Sequence, residues 1–101
     1  MIVHLSASAE RDLETIADFI AQDDPRRAIS FIRELREKCL NLADLPTGFP
    51  LVPRYEAEGV RKRRYGRYLI FYRVDSSRVF VLHILNGAQD YDTILGAEVS
   101  E

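Results

Sequence analysis

The 101 residues contain no tryptophan, one cysteine, one methionine and two histidines. A lone Cys39 excludes an internal disulfide and suits a reducing cytoplasm. His4 and His83 stand isolated, with no cluster of ligands around either, so neither a metal site nor a cofactor is expected. No apolar run approaches the roughly 18 residues that span a bilayer, so no membrane partner is expected. The first residues, MIVHLSASAERD, have no basic n-region and no long apolar core, and read as lacking a secretory leader. Internal repeats and low-complexity segments are absent too.

What is present is ordinary in bulk and uneven in detail. The hydrophobic fraction of 47% and the charged fraction of 30% fit a folded domain. The length suits one domain over 1–101 with a modest core. The net charge of −2 conceals a strong local bias. Residues 51–84 hold 8 basic and 3 acidic side chains (+5), whereas 85–101 hold no basic and 4 acidic ones (−4). An acidic chain with one basic segment is a poor general binder of phosphate backbones, so no direct sequence-specific nucleic-acid contact is expected. A local patch can still hold an acidic protein surface.

Local patterns give the elements. Ile2–Leu5 reads as a short strand. Ser6, Ala7 and Ser8 supply helix-capping chemistry, with Glu10 and Asp12 in the first turn, where the helix dipole favours acids. Ala9, Leu13, Ile16, Ala17 and Ile20 then recur at helical spacing, which predicts a helix over 9–22. Asp24–Pro25 restarts the chain, with Asp as cap and Pro at the first helical position. The second helix carries Ala28, Phe31, Ile32, Leu35, Cys39 and Leu42 on one face. Pro46, Gly48, Pro50 and Pro53 mark a loop. Three strands follow at 60–65, 68–74 and 78–85, with a break at Gly66 and a turn at Asp75–Ser77. The expected order is β-α-α-β-β-β, an α+β fold with a helical hairpin on one face of a small, mainly antiparallel sheet.

The last two strands are apolar on both alternating sides, as strands covered on both faces are. Simple alternation puts Phe80, Leu82 and Ile84 on one side of the final strand and Val79, Val81, His83 and Leu85 on the other. In its neighbour, Leu69, Phe71 and Arg73 oppose Tyr68, Ile70, Tyr72 and Val74. Two helices cover one face; the second is either an interface or is closed by residues 91–99 folding back.

These residues carry a resemblance. The approximate helix pattern A-x-x-D-L-x-x-I-A-x-F-I in 8–20, the break at Asp24–Pro25 and the strand pair GRYLIFYRVD…VFVLHILNGAQDY resemble the ParE/RelE superfamily of small bacterial toxins, the ParE branch above all. The likeness runs from Ile2 to about Leu95. It implies the toxin of a type II toxin–antitoxin pair, often plasmid-stabilising. It also implies a cognate antitoxin that folds onto the toxin, and DNA gyrase as the target, inhibited by binding without catalytic residues. For the RelE branch it implies instead a ribosome-dependent mRNA endonuclease. A non-toxic antitoxin-binding module is a third reading. One departure bears on the choice. Many ParE-like chains read close to H-G-A-R-D after the last strand, and here the step is Asn86–Gly87–Ala88–Gln89–Asp90.

Cleaving RNA through its own 2′-OH needs a base, an acid and cations for the phosphorane charge. The side chains that could supply them are Arg61, Lys62, Arg63, Arg64, Arg73, His83 and Tyr91. With Gln89 in place of arginine, a cation worth about 3–4 kcal/mol in the transition state is missing. The candidates for contact with antitoxin or target are Arg61, Arg63, Arg64, Arg67, Leu69, Phe71, Arg73 and His83. Each has a plainer reading. The arginines guard an edge strand, Arg73 pairs with a carboxylate such as Asp90, and His83 is a tolerated strand histidine.

Overall fold

Capping and hydrophobic periodicity set the first half of the chain. The computed structural model describes residues 1–99; the expected domain end at 101 lies outside them. Strand β1 (Ile2–Leu5) leads into helix α1 (Ala7–Ala21), whose cap Ser6 accepts the Ala9 N–H through its hydroxyl oxygen at 3.0 Å. Asp24 caps helix α2 (Pro25–Leu40) by accepting the Arg27 N–H at 3.0 Å, with Pro25 in the first turn. A short 3-10 turn, Asn41–Ala43, ends the hairpin. Strands β2 (Arg61–Tyr65), β3 (Tyr68–Asp75) and β4 (Arg78–Asn86) follow, then helix α3 (Tyr91–Val99). The sheet runs β1-β4-β3-β2, with β1 parallel to β4 and the other two pairings antiparallel. The α+β order is as expected, extended by α3.

The helical hairpin lies over one face of the sheet. Leu13 and Ile16 of α1 and Leu35 and Cys39 of α2 meet Tyr68, Ile70, Tyr72, Val79, Val81 and Ile84 in one core. Here the structure corrects simple alternation. The β3–β4 register shifts so that Phe71 pairs with His83 and Tyr72 with Val81, leaving Leu82 without an opposite number. This bulge resets the parity of β4. Val79, Val81 and Ile84 therefore all pack into the core under the helices, while Leu82 and Leu85 belong to the opposite one.

That opposite face is closed by the chain itself. Val52 and Val60 from the proline-rich loop and Leu95 from α3, each 1% exposed or less, bury Leu69, Phe71, Leu82 and Leu85. Tyr91 stacks on Phe71 with ring centroids 5.1 Å apart. The Tyr55 hydroxyl donates to the Asp92 carbonyl at 2.9 Å, tying the loop to α3. The folding-back of 91–99 is thus present, and the loop supplies the rest of the cover.

Because β1 stops at Leu5, the outer edge of β4 beyond Val81 has no strand beside it. The start of α1 fills that edge. The Ser6 N–H donates to Val81 O at 3.0 Å and its hydroxyl to Leu82 O at 2.8 Å. Asp12 Oδ2 accepts the Ile84 N–H at 2.8 Å. Buried backbone groups are nearly always paired, and two short polar side chains here do what a longer β1 would have done.

Candidate functional site

Strand parity sorts the basic cluster into two groups. Arg61 and Arg63 pair with Tyr72 and Ile70, so both point to the helix side; Lys62 and Arg64 point away. Arg61 Nη1 donates to the carbonyls of Phe49 at 2.7 Å and Thr47 at 3.3 Å, fixing the loop that follows α2. Arg63 Nη1 donates to Lys38 O at 3.1 Å, a cation on the last turn of α2 where the dipole favours it. Its guanidinium also stacks on Phe49, 4.8 Å from the ring centre. These two arginines hold the fold together.

Arg64 and Arg67 are exposed and meet at the end of the sheet. They line a cleft of about 430 Å³ with Asn86, Gly87 and Ala88. The Gly87 N–H donates to Arg67 O at 2.8 Å, which draws the exit of β4 against the β2–β3 turn. A side-chain carbon on Gly87 would lie 3.6 Å from the Arg64 guanidinium nitrogens, so the cation rests directly over this glycine. Gly66 makes the adjoining turn at φ +60°, in the left-handed region that favours glycine.

Two further clefts continue this one. The first, of about 320 Å³, lies between Phe19, Ile20, Arg27, Phe31, Arg67 and Tyr68. The second, of about 390 Å³, shares Phe19 and Tyr68 with it and Asn86 and Ala88 with the arginine cleft. Together they form one groove around the sheet end, with an apolar middle and a cationic lip. Among the described residues no carboxylate lines any of the three. Phe19 is 60% exposed at its centre. Sequence reasoning passed over Phe19 because it lies off the apolar stripe of α1; an aromatic at such a position was the available signal.

One wall of the groove is braced by a hydrogen-bonded trio. Glu34 accepts from Arg27 Nη1 at 2.7 Å and from the Tyr65 hydroxyl at 2.5 Å. The Arg27 bond, then that from Tyr65, holds the Glu34 carboxyl below its usual range. The bond to Glu34 in turn raises the Tyr65 phenol. Phe31 stacks beside Tyr65 and Tyr68, each 5.6 Å away, with Arg27 over its outer face.

The remaining expected site residues are dispersed. Leu69 and Phe71, candidates for contact with antitoxin or target, are 3% and 0% exposed beneath α3 and the loop. His83 is no free strand histidine: its Nδ1 lies 2.7 Å from Asp12 Oδ2. Arg73 is half-buried near the far end of β3, about 20 Å from Arg67 at strand rise. Its expected pairing with Asp90 is not formed; Asp90 instead caps α3, accepting the Thr93 hydroxyl at 2.8 Å. Gln89 Oε1 accepts the Asn86 N–H at 2.9 Å, and Asn86 Oδ1 accepts the Ala88 N–H at 2.9 Å. The amides of this step thus shape the exit of β4. Among the described residues no cluster of His, Cys, Asp and Glu could hold a metal ion, and no helix is long and apolar enough to cross a membrane.

Comparison with known proteins agrees with this architecture. By sequence, no curated protein matches this chain. A solved structure described as the chromosomal ParDE toxin–antitoxin system from P. aeruginosa is similar with a TM-score of 0.71 at 21% identity, covering 85% of this chain and 95% of that one. The RelBE2 toxin–antitoxin complex from Mycobacterium tuberculosis is similar with a TM-score of 0.63 at 24% identity, covering 84% and 95%. At such identities the likeness carries the fold. The family model for the ParE toxin of the type II toxin–antitoxin system parDE matches residues 3–91, and with nearly the whole sheet and helical hairpin inside that match the chain belongs to the ParE toxin family.

Proposed function

We propose that this ParE-family toxin arrests growth by binding DNA gyrase and trapping it on cleaved DNA, and that a cognate antitoxin neutralises it. The observation that carries a binding role is where four of the seven candidate catalytic groups go. Arg61 and Arg63 are bonded to backbone carbonyls, His83 lies against Asp12, and Tyr91 packs on Phe71. Gln89 holds the Asn86 backbone where a cation for phosphate would otherwise stand. General acid–base cleavage needs its groups within hydrogen-bond reach of one substrate, and these side chains are turned to structural work at separate places. Inhibition by binding needs only a surface, and the groove at the sheet end is an exposed one.

The antitoxin part of the reading is supported by family membership and by the similar solved structures, both described as toxin–antitoxin assemblies. The test is made in cells. Induced toxin should leave plasmids relaxed and chromosomes broken, and co-expression of a cognate antitoxin should reverse both. Plasmids with normal supercoiling in growth-arrested cells would refute gyrase as the target.

A further inference from the structure

The outer face of the helical hairpin, turned away from the sheet, is open and apolar along its centre. A groove of about 400 Å³ runs between α1 and α2, with Ala17, Ala21 and Ala28 along it and Ile29 and Ile32 on one side. Ile29 is 64% exposed, and Leu40, three turns further along the same side of α2, is 57% exposed. Neither belongs to either core. The two banks of the groove carry opposite charges. Glu14 and Asp18 stand one turn apart on α1, and Arg26 and Arg33 two turns apart on α2. All four are exposed and, among the described residues, none is in an ion pair. The Glu10–Arg36 ion pair, at 2.8 Å, spans the hairpin and fixes which residues stand level. Counted from it in one-turn steps along antiparallel helices, Glu14 is about level with Arg33 and Asp18 with Ile29.

We infer that this face pairs with the same face of a second copy of the chain, in a two-fold dimer with α1 of each copy over α2 of the other. A two-fold axis running along the hairpin produces this arrangement and keeps the levels. Glu14 then meets the partner's Arg33, Asp18 falls between the partner's Arg26 and Arg33, and Arg11 comes to the partner's Glu37. Ile29 enters the partner's groove over the partner's Ala17 and Ala21, so knob and hole lie on one self-complementary patch. The four helices pack as an antiparallel bundle. An axis across the hairpin would instead set α1 on α1, acid against acid. A partner of one charge sign would satisfy one bank and be repelled by the other. Helices of 15 and 16 residues are about 24 Å long and about 10 Å across, so the pair covers about 500 Å² per copy and about 1,000 Å² in all. That is the lower bound of a specific interface, and the dimer is reversible, with a dissociation constant on the order of 10–100 μM. Phe19 lines clefts on the other side of α1, so the groove at the sheet end stays open in the dimer.

Sedimentation velocity on the full chain, from about 5 to about 500 μM, measures the dimer directly. The variants are Ile29→Ser, Glu14→Arg, Arg33→Glu, and Arg78→Gln on β4 as a distant control. All four positions are exposed, and circular dichroism melts verify that each variant folds. The wild type should pass from monomer to dimer within that range. Ile29→Ser should weaken association at least about tenfold. Glu14→Arg and Arg33→Glu should each do the same, because a symmetric dimer of either sets like charges together twice. An equimolar mixture of the Glu14→Arg and Arg33→Glu chains should dimerise again, since the mixed pair restores both opposite-charge contacts. Arg78→Gln should change nothing. A wild type that stays monomeric throughout, a dimer that these variants leave intact, or a mixture no more associated than its parts overturns the inference. A monomeric wild type that loses its cognate antitoxin on Ile29→Ser gives this face to the antitoxin and overturns it as well.

Discussion

Asp12 and His83, 71 positions apart in sequence, meet at 2.7 Å where the first helix crosses the bulge of β4. The same carboxylate oxygen accepts the Ile84 N–H at 2.8 Å, so one side chain joins the N-terminal helix to the last strand. Both side chains are mostly buried, at 19% and 12% exposure. Replacing Asp12 by Ala leaves the Ile84 N–H without its acceptor and should cost about 2–3 kcal/mol. Asp12→Asn keeps an acceptor oxygen and should lose less. Urea denaturation followed by circular dichroism measures both, and an Asp12→Ala midpoint equal to that of the wild type would refute the linkage.

Leu95 of α3 is fully buried in the second core. Leu95→Ala should cost about 2–5 kcal/mol through lost burial and the cavity left behind. It should also loosen α3 and uncover Leu69 and Phe71. The variant should then bind the dye ANS in native buffer more strongly than the wild type. An unchanged melting temperature with no dye binding would mean that α3 does not close this face.

Cys39 is 0% exposed on the inner face of α2, and burial pushes its thiol up to about 12. Only the thiolate reacts readily with disulfide reagents. At neutral pH the native chain should therefore react with Ellman's reagent far more slowly than the urea-unfolded chain, at a rate that follows opening of the core. The folded thiol holds its proton more tightly than the unfolded one. Its share of stability is thus full below the ordinary thiol value of 9.0 and declines as pH rises towards 12. Immediate labelling of the native protein would contradict this placement.

Glu34 gives a pH dependence of the opposite sign. Its carboxyl lies below the ordinary 4.5 through the bonds from Arg27 and Tyr65. Its contribution is therefore present above pH 4.5 and is lost as pH falls through the depressed folded value. Tyr65 is raised by the same bond, so its share holds below pH 10 and fades above it. The melting temperature of Glu34→Gln should lie slightly below the wild type at pH 7 and meet it in acid. A gap that widened as pH fell would contradict the assigned cause.

Much of this fold was legible in the residues. Ser6–Ser8 and Asp24–Pro25 announced both helix starts; Asp24 caps as expected, and Ser6 caps a helix that begins at Ala7, two residues before the expected start. The strand pair and its turn could be read as well, because turn residues and apolar runs act locally. The faces could not. A two-residue alternation cannot register the extra residue at Leu82, so every position of β4 beyond it was assigned to the wrong side. The cover over Leu69 and Phe71 was half visible. Residues 91–99 were a candidate, but Val52, Tyr55 and Val60 stand in a proline-rich loop with no period to reveal a packing surface. The basic cluster was obvious as charge, yet its division was not. Register alone separates Arg61 and Arg63, bound to carbonyls, from Arg64, which is exposed beside Arg67.

The decisive experiment puts one preparation of pure toxin into two reactions: gyrase with relaxed plasmid, and a cell-free translation extract with labelled message. Supercoiling should fail, with cleaved plasmid accumulating on gyrase, while the message stays full length at the same toxin concentration. Cut message beside normally supercoiled plasmid would contradict the binding mechanism and make this chain a nuclease.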